Sequence, residues 1–261
     1  MSVITLTTDY GTTDWFVGTM RGVIAWVNPQ ATVIDLTHQI PAGDIRAGAF
    51  ALMAAYRFFP YQTIHLVVVD PGVGGSRGAL VVHTSEHYFV GPDNGVLSWA
   101  LRQEKIQAIH RLENEKFFLK PISQTFHGRD IFAPVAAHLS KGMSLDRLGP
   151  QQDGLVRLPW PEPKRTRREA EGEVVYIDRF GNAITNLHEE LLAGFERKRC
   201  RIMVRGKVVA PVLSHYQAAP SGKAAGVISS SGFLELAVNV GSAAKKFKLK
   251  VGDPIAVTSR S

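Results

Sequence analysis

The stretch TFHGRD, residues 125 to 130, gathers a hydroxyl, an aromatic ring, an imidazole, a guanidinium and a carboxylate around one glycine, directly before an apolar run. Two further stretches set carboxylates beside glycines. VITLTTDYGTTD delivers Asp9, and HLVVVDPGVGGSR delivers Asp70 and returns Arg77 a short loop later. An imidazole donates or accepts near neutral pH, a guanidinium keeps its charge, and an ionised carboxylate only accepts. Each stretch also has a purely local reading. Thr125 can cap the helix that follows, with His127, Arg129 and Asp130 answering its free amides and positive end. Asp70-Pro71-Gly72 is a turn sequence in its own right. The occurrence of all three stretches in one chain favours a polar ligand site.

The elements that must position these groups alternate. VITLTTD reads as a buried strand, and Phe16, Met20, Val23, Ile24 and Val27 share one helical face. TVIDLT is strand-like, Ile45, Ala49, Leu52, Met53 and Tyr56 form a second amphipathic helix, and TIHLVVVD and ALVVHT are further strands. Ile131, Phe132, Val135, Ala136 and Leu139 form a third helix behind TFHGRD. This alternation predicts an α/β domain with a mainly parallel sheet, in which ligands sit beyond the carboxyl ends of the strands. Asp9 and Asp70 fall at two such ends.

Residues 149–171 hold four prolines and a basic cluster, which is linker composition. Short strands with turn residues follow, interrupted by one short helix from His188 to Phe195. They predict a mostly antiparallel, barrel-like second domain. The expected division is 1–150 for the α/β domain, 151–171 for the linker and 172–261 for the β domain.

The chain of 261 residues is 45% hydrophobic and 20% charged, ample for packed cores. Its single cysteine, Cys200, excludes an internal disulfide, and neither a membrane span nor an export leader is legible, so a cytoplasmic protein without a membrane partner is expected. The net charge of +7 collects at residues 164–168, 197–201 and 245–250, with little aromatic interleaving. These clusters read as solvated faces and a linker, and no nucleic-acid partner is expected. GVGGSR lacks the lysine-serine/threonine ending of a P-loop. His83 and His87 lie near a strand end and turn without a cysteine cluster, so no metal is expected.

TTDYG, VVVDPGVGGSR, GPDNGVL, TFHGRDIFAP, YIDRFGNAITN and SSSGFLELAVN, in that order, resemble the S-adenosyl-L-methionine (SAM) hydrolases that form adenosine, also called SAM hydroxide adenosyltransferases. Fluorinases and chlorinases are their relatives. The resemblance implies attack of water or hydroxide on ribose C5′ of SAM, releasing adenosine and L-methionine with no cofactor. It also implies a homotrimer whose sites are walled by the N-terminal domain of one subunit and the C-terminal domain of the next. It makes Asp70, Arg77 and His127 a triad around the attacking oxygen. Asp9 would hold the ribose hydroxyls and Asp14 the methionine part. Asn94 and Phe126 would contact substrate, and Phe180, Asn182, Tyr216, Ser230 and Ser231 would wall the adenine and the amino-acid tail. Halogenating relatives carry tyrosine at the positions of Asp70 and His127, and a carboxylate at Asp70 disfavours a halide. Arg129 and Asp130 are expected to brace the turn, and Gly128 to leave room beside the imidazole for ribose or water.

Overall fold

The computed structural model describes residues 2–259. The chain divides into two compact units between Leu158 and Pro159.

The first unit runs β1 (Val3–Thr8), α1 (Phe16–Val27), β2 (Thr32–Thr37), α2 (Ile45–Ala55), β3 (Ile64–Val68), β4 (Ala79–Thr84), β5 (Tyr88–Pro92), β6 (Ile106–Arg111) and α3 (Ala133–Leu139). The strands form one sheet in the order β2-β1-β3-β5-β4-β6. β1 is parallel to β2 and β3, and β3 is parallel to β5. β4 runs the other way, antiparallel to β5 and β6, whereas the sequence pattern predicts one more parallel strand. The reason is the connection. The loop after β3 carries no crossover helix, and β4 meets β5 through a tight turn in which the Thr84 amide donates to the His87 carbonyl at 2.9 Å. A turn that short joins only antiparallel neighbours.

Met20, Val23 and Ile24 of α1 and Val135, Ala136 and Leu139 of α3 bury themselves against Ile4, Leu6, Leu66, Val68, Val81 and Val90 of the sheet. Each fully buried large aliphatic side chain contributes about 1.5–3 kcal/mol, so this layer fixes α3 firmly over the strands. Helix α2 starts where Asp44 accepts a hydrogen bond from the Ala47 amide at 2.9 Å.

The second unit runs β7 (Lys164–Arg165), β8 (Glu169–Ile177), β9 (Ala183–His188), β10 (Cys200–Val204), β11 (Lys207–Pro211), β12 (Ala224–Ile228), β13 (Phe233–Val238), α4 (Ala243–Phe247) and β14 (Pro254–Ser259). Its order is β11-β10-β14-β8-β9-β13-β12, with β7 on β8. The strand pairings are antiparallel, and a bridge between Val212 and Gly226 brings the two end strands together, so the sheet nearly closes into a barrel. Val174, Leu187, Ile202, Leu234, Leu236 and Val257 fill its interior.

The helix expected from His188 to Phe195 is only a 3-10 turn, Glu189–Leu192, while α4 has no counterpart in the expectation. Part of the predicted linker is fastened to the first unit: the Val156 amide donates to Asp93 Oδ1 at 2.7 Å and the Leu158 amide to Ser98 Oγ at 3.0 Å. Among the described residues no helix is long and apolar enough to cross a membrane.

Candidate functional site

Asp70 leaves the carboxyl end of β3 and opens the glycine loop. Two short turns, Val73 amide to Asp70 carbonyl at 3.2 Å and Gly75 amide to Gly72 carbonyl at 3.0 Å, curl the loop back so that Arg77 faces Asp70. Arg77 Nε donates to both carboxylate oxygens, at 3.0 and 2.9 Å, and Nη2 closes a second bond to Oδ2. Their side chains are only 4% and 12% exposed, so the pair is largely shielded from water. Charge-assisted, forked contacts of this kind fix both partners.

Gly74 explains how the loop meets the TFHGRD segment. It sits at φ +76°, and a Cβ there would overlap the Gln124 carbonyl oxygen. This close approach carries the glycine loop to residues 124–127, where Arg77 Nη2 stands 2.8 Å from His127 Nδ1. The three groups thus form a chain, Asp70 to Arg77 to His127, although 50 residues separate the last two. His127 is 9% exposed. Burial, then the Arg77 charge, holds its imidazole below the ordinary value near 6.5, against weaker opposing effects of Asp70, Asp130 and the Ser123 backbone.

His127 stands at the entry of a π-helical turn, Gly128–Phe132, that runs into α3. Thr125 does not cap this helix; its hydroxyl pairs with Ser123 Oγ at 3.1 Å. Arg129 and Asp130 form an ion pair with Nε to Oδ1 at 2.5 Å, and Asp130, fully buried, also takes the Ser123 amide at 2.8 Å. They brace the turn, as expected. The space over Gly128 is not left for ribose or water. A Cβ there would stand 2.7 Å from Tyr10 Oη and 3.3 Å from Met20 Sδ, so the glycine makes room for a protein side chain.

Asp9 follows β1 and accepts the Gly43 amide through Oδ2 at 2.8 Å, which leaves its other oxygen available. Asp14 lies exposed before α1. Asn94 donates to the Val69 carbonyl at 2.8 Å and accepts the Val96 amide at 3.1 Å, so its amide braces the residue just before Asp70. Phe126 is buried in an aromatic cluster, with Tyr10 at 5.7 Å and Phe16 at 5.1 Å between ring centroids.

In the second unit the β8–β9 hairpin loop presents Phe180, 76% exposed. Asn182 is tied down beneath it, its amide nitrogens donating to the Asp178 carboxylate at 2.8 and 2.9 Å. Tyr216 donates through Oη to Glu235 Oε1 at 2.5 Å. Asp178 acts electrostatically on both members of that pair, which places this loop near them. Ser230 and Ser231 occupy the turn before β13, where Ser231 Oγ is 2.8 Å from Ser229 Oγ. In register, Phe233 faces His188 and Leu236 faces Ala183. The serine turn and the Asn182 loop therefore lie at opposite ends of the β9–β13 pair, which suits an elongated ligand.

Two polar residues of these clusters escape sequence reasoning. Tyr10 reads as one aromatic among many, and Glu235 as an ordinary charge in a strand. The alternation in FLELAV, with Leu234 and Leu236 in the barrel core, puts Glu235 on the other face and was the available signal.

Comparison with known proteins bears on the same stretches. The profile of the SAM hydroxide adenosyltransferase N-terminal domain matches residues 4–149, and that of the C-terminal domain matches residues 172–256. A protein of Salinispora tropica named (R)-S-adenosyl-L-methionine hydrolase is 40% identical, covering 98% of this chain and 97% of its own. One of Thermus thermophilus with the same name is 38% identical over 95% and 96%. A fluorinase of Nocardia brasiliensis is 26% identical over 98% and 96%. A crystal structure of an uncharacterised conserved protein from Thermotoga maritima superposes with a TM-score of 0.92 at 39% identity, over 97% of this chain and 99% of that one.

Proposed function

The chain belongs to the SAM hydroxide adenosyltransferase family, and on that premise we propose that it hydrolyses SAM to adenosine and L-methionine, with water or hydroxide attacking ribose C5′. The observation that carries the reading is the Asp70–Arg77–His127 chain at the end of β3. Its chemistry suits an oxygen nucleophile. Bulk water, with a pKa near ~15.7, needs fixed charge and directed hydrogen bonds to be held for attack. Arg77 supplies positive charge that does not titrate. Its N–H reaches His127 Nδ1, so the imidazole carries its proton on Nε2 and donates from there. Asp70 keeps lone pairs to accept from the water and orient it.

The leaving group needs no acid, because a sulfonium departs as a neutral thioether. In-line positioning and exclusion of bulk water then account for most of the acceleration. Asp9 offers a carboxylate oxygen to the ribose diol, and Asp14 an exposed carboxylate to the methionine ammonium. In the second unit, Phe180, Tyr216 and Asn182 present stacking faces and polar edges suited to adenine, and the serine turn suits the amino-acid tail. The exposure of Phe180 supports a homotrimer in which these residues complete a neighbour's site.

The test is product analysis after incubation with SAM in 18O-labelled water, with and without molar chloride. Adenosine bearing the label at its 5′ oxygen is expected in both. Unlabelled adenosine, or a 5′-chloro product, would overturn the reading. Activity is also expected to track the oligomer on dilution, and a fully active monomer in sedimentation would remove the trimer from the proposal.

A further inference from the structure

Tyr10 brings its hydroxyl up to Gly128, beside the Asp70–Arg77–His127 chain, without taking part in that chain. Its ring is held on two sides, edge-on to Phe126 with centroids 5.7 Å apart and against Phe16 at 5.5 Å. Its hydroxyl lies over Gly128, the residue after His127, at the distance where a Cβ would collide. The charged side chains that act on the phenol are Asp9, Asp70 and Arg77, all of them members of the candidate site. Burial first, then Asp9 and Asp70, push the phenol upward from its ordinary value, so it remains a protonated donor at any physiological pH. Among the described residues the hydroxyl has no hydrogen-bond partner, while the Tyr10 amide is satisfied by Thr8 Oγ1 at 3.2 Å.

A largely buried phenol without a protein acceptor finds one in water or in a ligand. The ring contacts and Gly128 hold the hydroxyl next to the residue that follows His127, within the electrostatic reach of Asp9, Asp70 and Arg77. We propose that Tyr10 is a further catalytic residue, its O–H donating to the oxygen nucleophile held by Asp70, Arg77 and His127. The assignment rests on the hydrolase reading above. Water or hydroxide then has a permanent donor in Tyr10, a neutral donor in His127 and an acceptor in Asp70. In the hydroxide form the single O–H goes to Asp70, two lone pairs accept from Tyr10 and His127, and the third is left pointing toward C5′. The proton balance of the reaction is unchanged, since Tyr10 donates a hydrogen bond and keeps its proton.

Tyr10→Phe isolates the hydroxyl, because the ring and its contacts with Phe16 and Phe126 are retained. The expected result is a fall in kcat of about ten-fold or more, with KM for SAM and the affinity for adenosine within about two-fold of the parent, as for a group used mainly in the transition state. Tyr10→Leu, which also removes the ring, is expected to lose stability in addition, and comparison of the two separates packing from donation. A Tyr10→Phe enzyme with kcat within two-fold of the parent would overturn the assignment. So would a loss confined to KM, which would place the hydroxyl on the ribose instead. Adenosine release by the parent protein is the control: its absence defeats the hydrolase reading, whereas its presence with an unimpaired Tyr10→Phe defeats only the role of Tyr10.

Discussion

Arg77 Nη2 and His127 Nδ1 are 2.8 Å apart, and a guanidinium has only donors, so Nδ1 must accept and the imidazole must be neutral. Protonating His127 breaks this bond and sets two positive charges side by side.

The pH dependence follows from that relationship. His127 has its folded-state value lowered, by burial and then by Arg77, so the unfolded chain binds the proton more readily. Its contribution to stability is therefore present above about 6.5 and declines as pH falls from there toward the lower folded value. The acid limb of kcat is expected below 6.5, and His127→Asn, which cannot titrate, is expected to lose that limb together with much of its rate. A rate profile at fixed ionic strength checks both.

Arg77→Lys keeps the charge and loses the fork. One ammonium cannot reproduce the paired contacts to Asp70 while also reaching Nδ1. A fall in kcat of roughly 10²-fold or more is expected, the scale of removing one preorganised donor, with a small change in SAM affinity. Steady-state kinetics with isothermal titration of adenosine separates the two quantities.

Gly74→Ala is expected to be damaging far out of proportion to one methyl group. The residue has φ +76°, and the new Cβ would overlap the Gln124 carbonyl, so the glycine loop must draw back from the segment that carries His127. Strain in this backbone region costs about 1–3 kcal/mol before the overlap is counted. A lowered Tm accompanied by a large loss of kcat is the expected signature. Gly206, also at positive φ but with open space around it, is the control, and Gly206→Ala should lower Tm without touching kcat.

Tyr216→Phe removes the hydrogen bond to Glu235, a carboxylate 2% exposed. Burial, and to a lesser degree Asp178, raise this carboxyl above its ordinary range, and the Tyr216 bond opposes them. An acid with a raised folded value favours the protonated form on folding, so stability falls as pH rises through the interval above 4.5. Without Tyr216 that fall steepens. The variant is expected to lose about 1–3 kcal/mol near neutral pH, the scale of leaving a buried acceptor unsatisfied, and less at pH 4.5. Urea unfolding at the two pH values provides the comparison.

Much of the fold was legible because periodicity reports burial directly. Met20, Val23 and Ile24 mark the inner face of α1 by spacing alone. The direction of β4 was hidden because ALVVHT has the same pattern whichever way it runs, and only the missing crossover helix sets it. Asp70, Arg77 and His127 were legible as types in a recurrent motif order. That they come together was implied by the resemblance; how they do so was not, since it depends on how near the Gln124 carbonyl lies to Gly74. Gly128 was misread for a related reason: a glycine announces that something is close, and the sequence does not say that it is Tyr10.

The π-helical turn at Gly128–Phe132 carries one residue more than a regular turn would need. Deleting a single residue within it would restore a regular helix, leave Phe132 and Val135 in the core, and swing His127 by about 100° around the axis, away from Arg77. The spacing between the imidazole and the core is thus a hereditary constraint separate from residue identity. An insertion or deletion of one codon here would disarm the site even where every side chain around the turn keeps its identity.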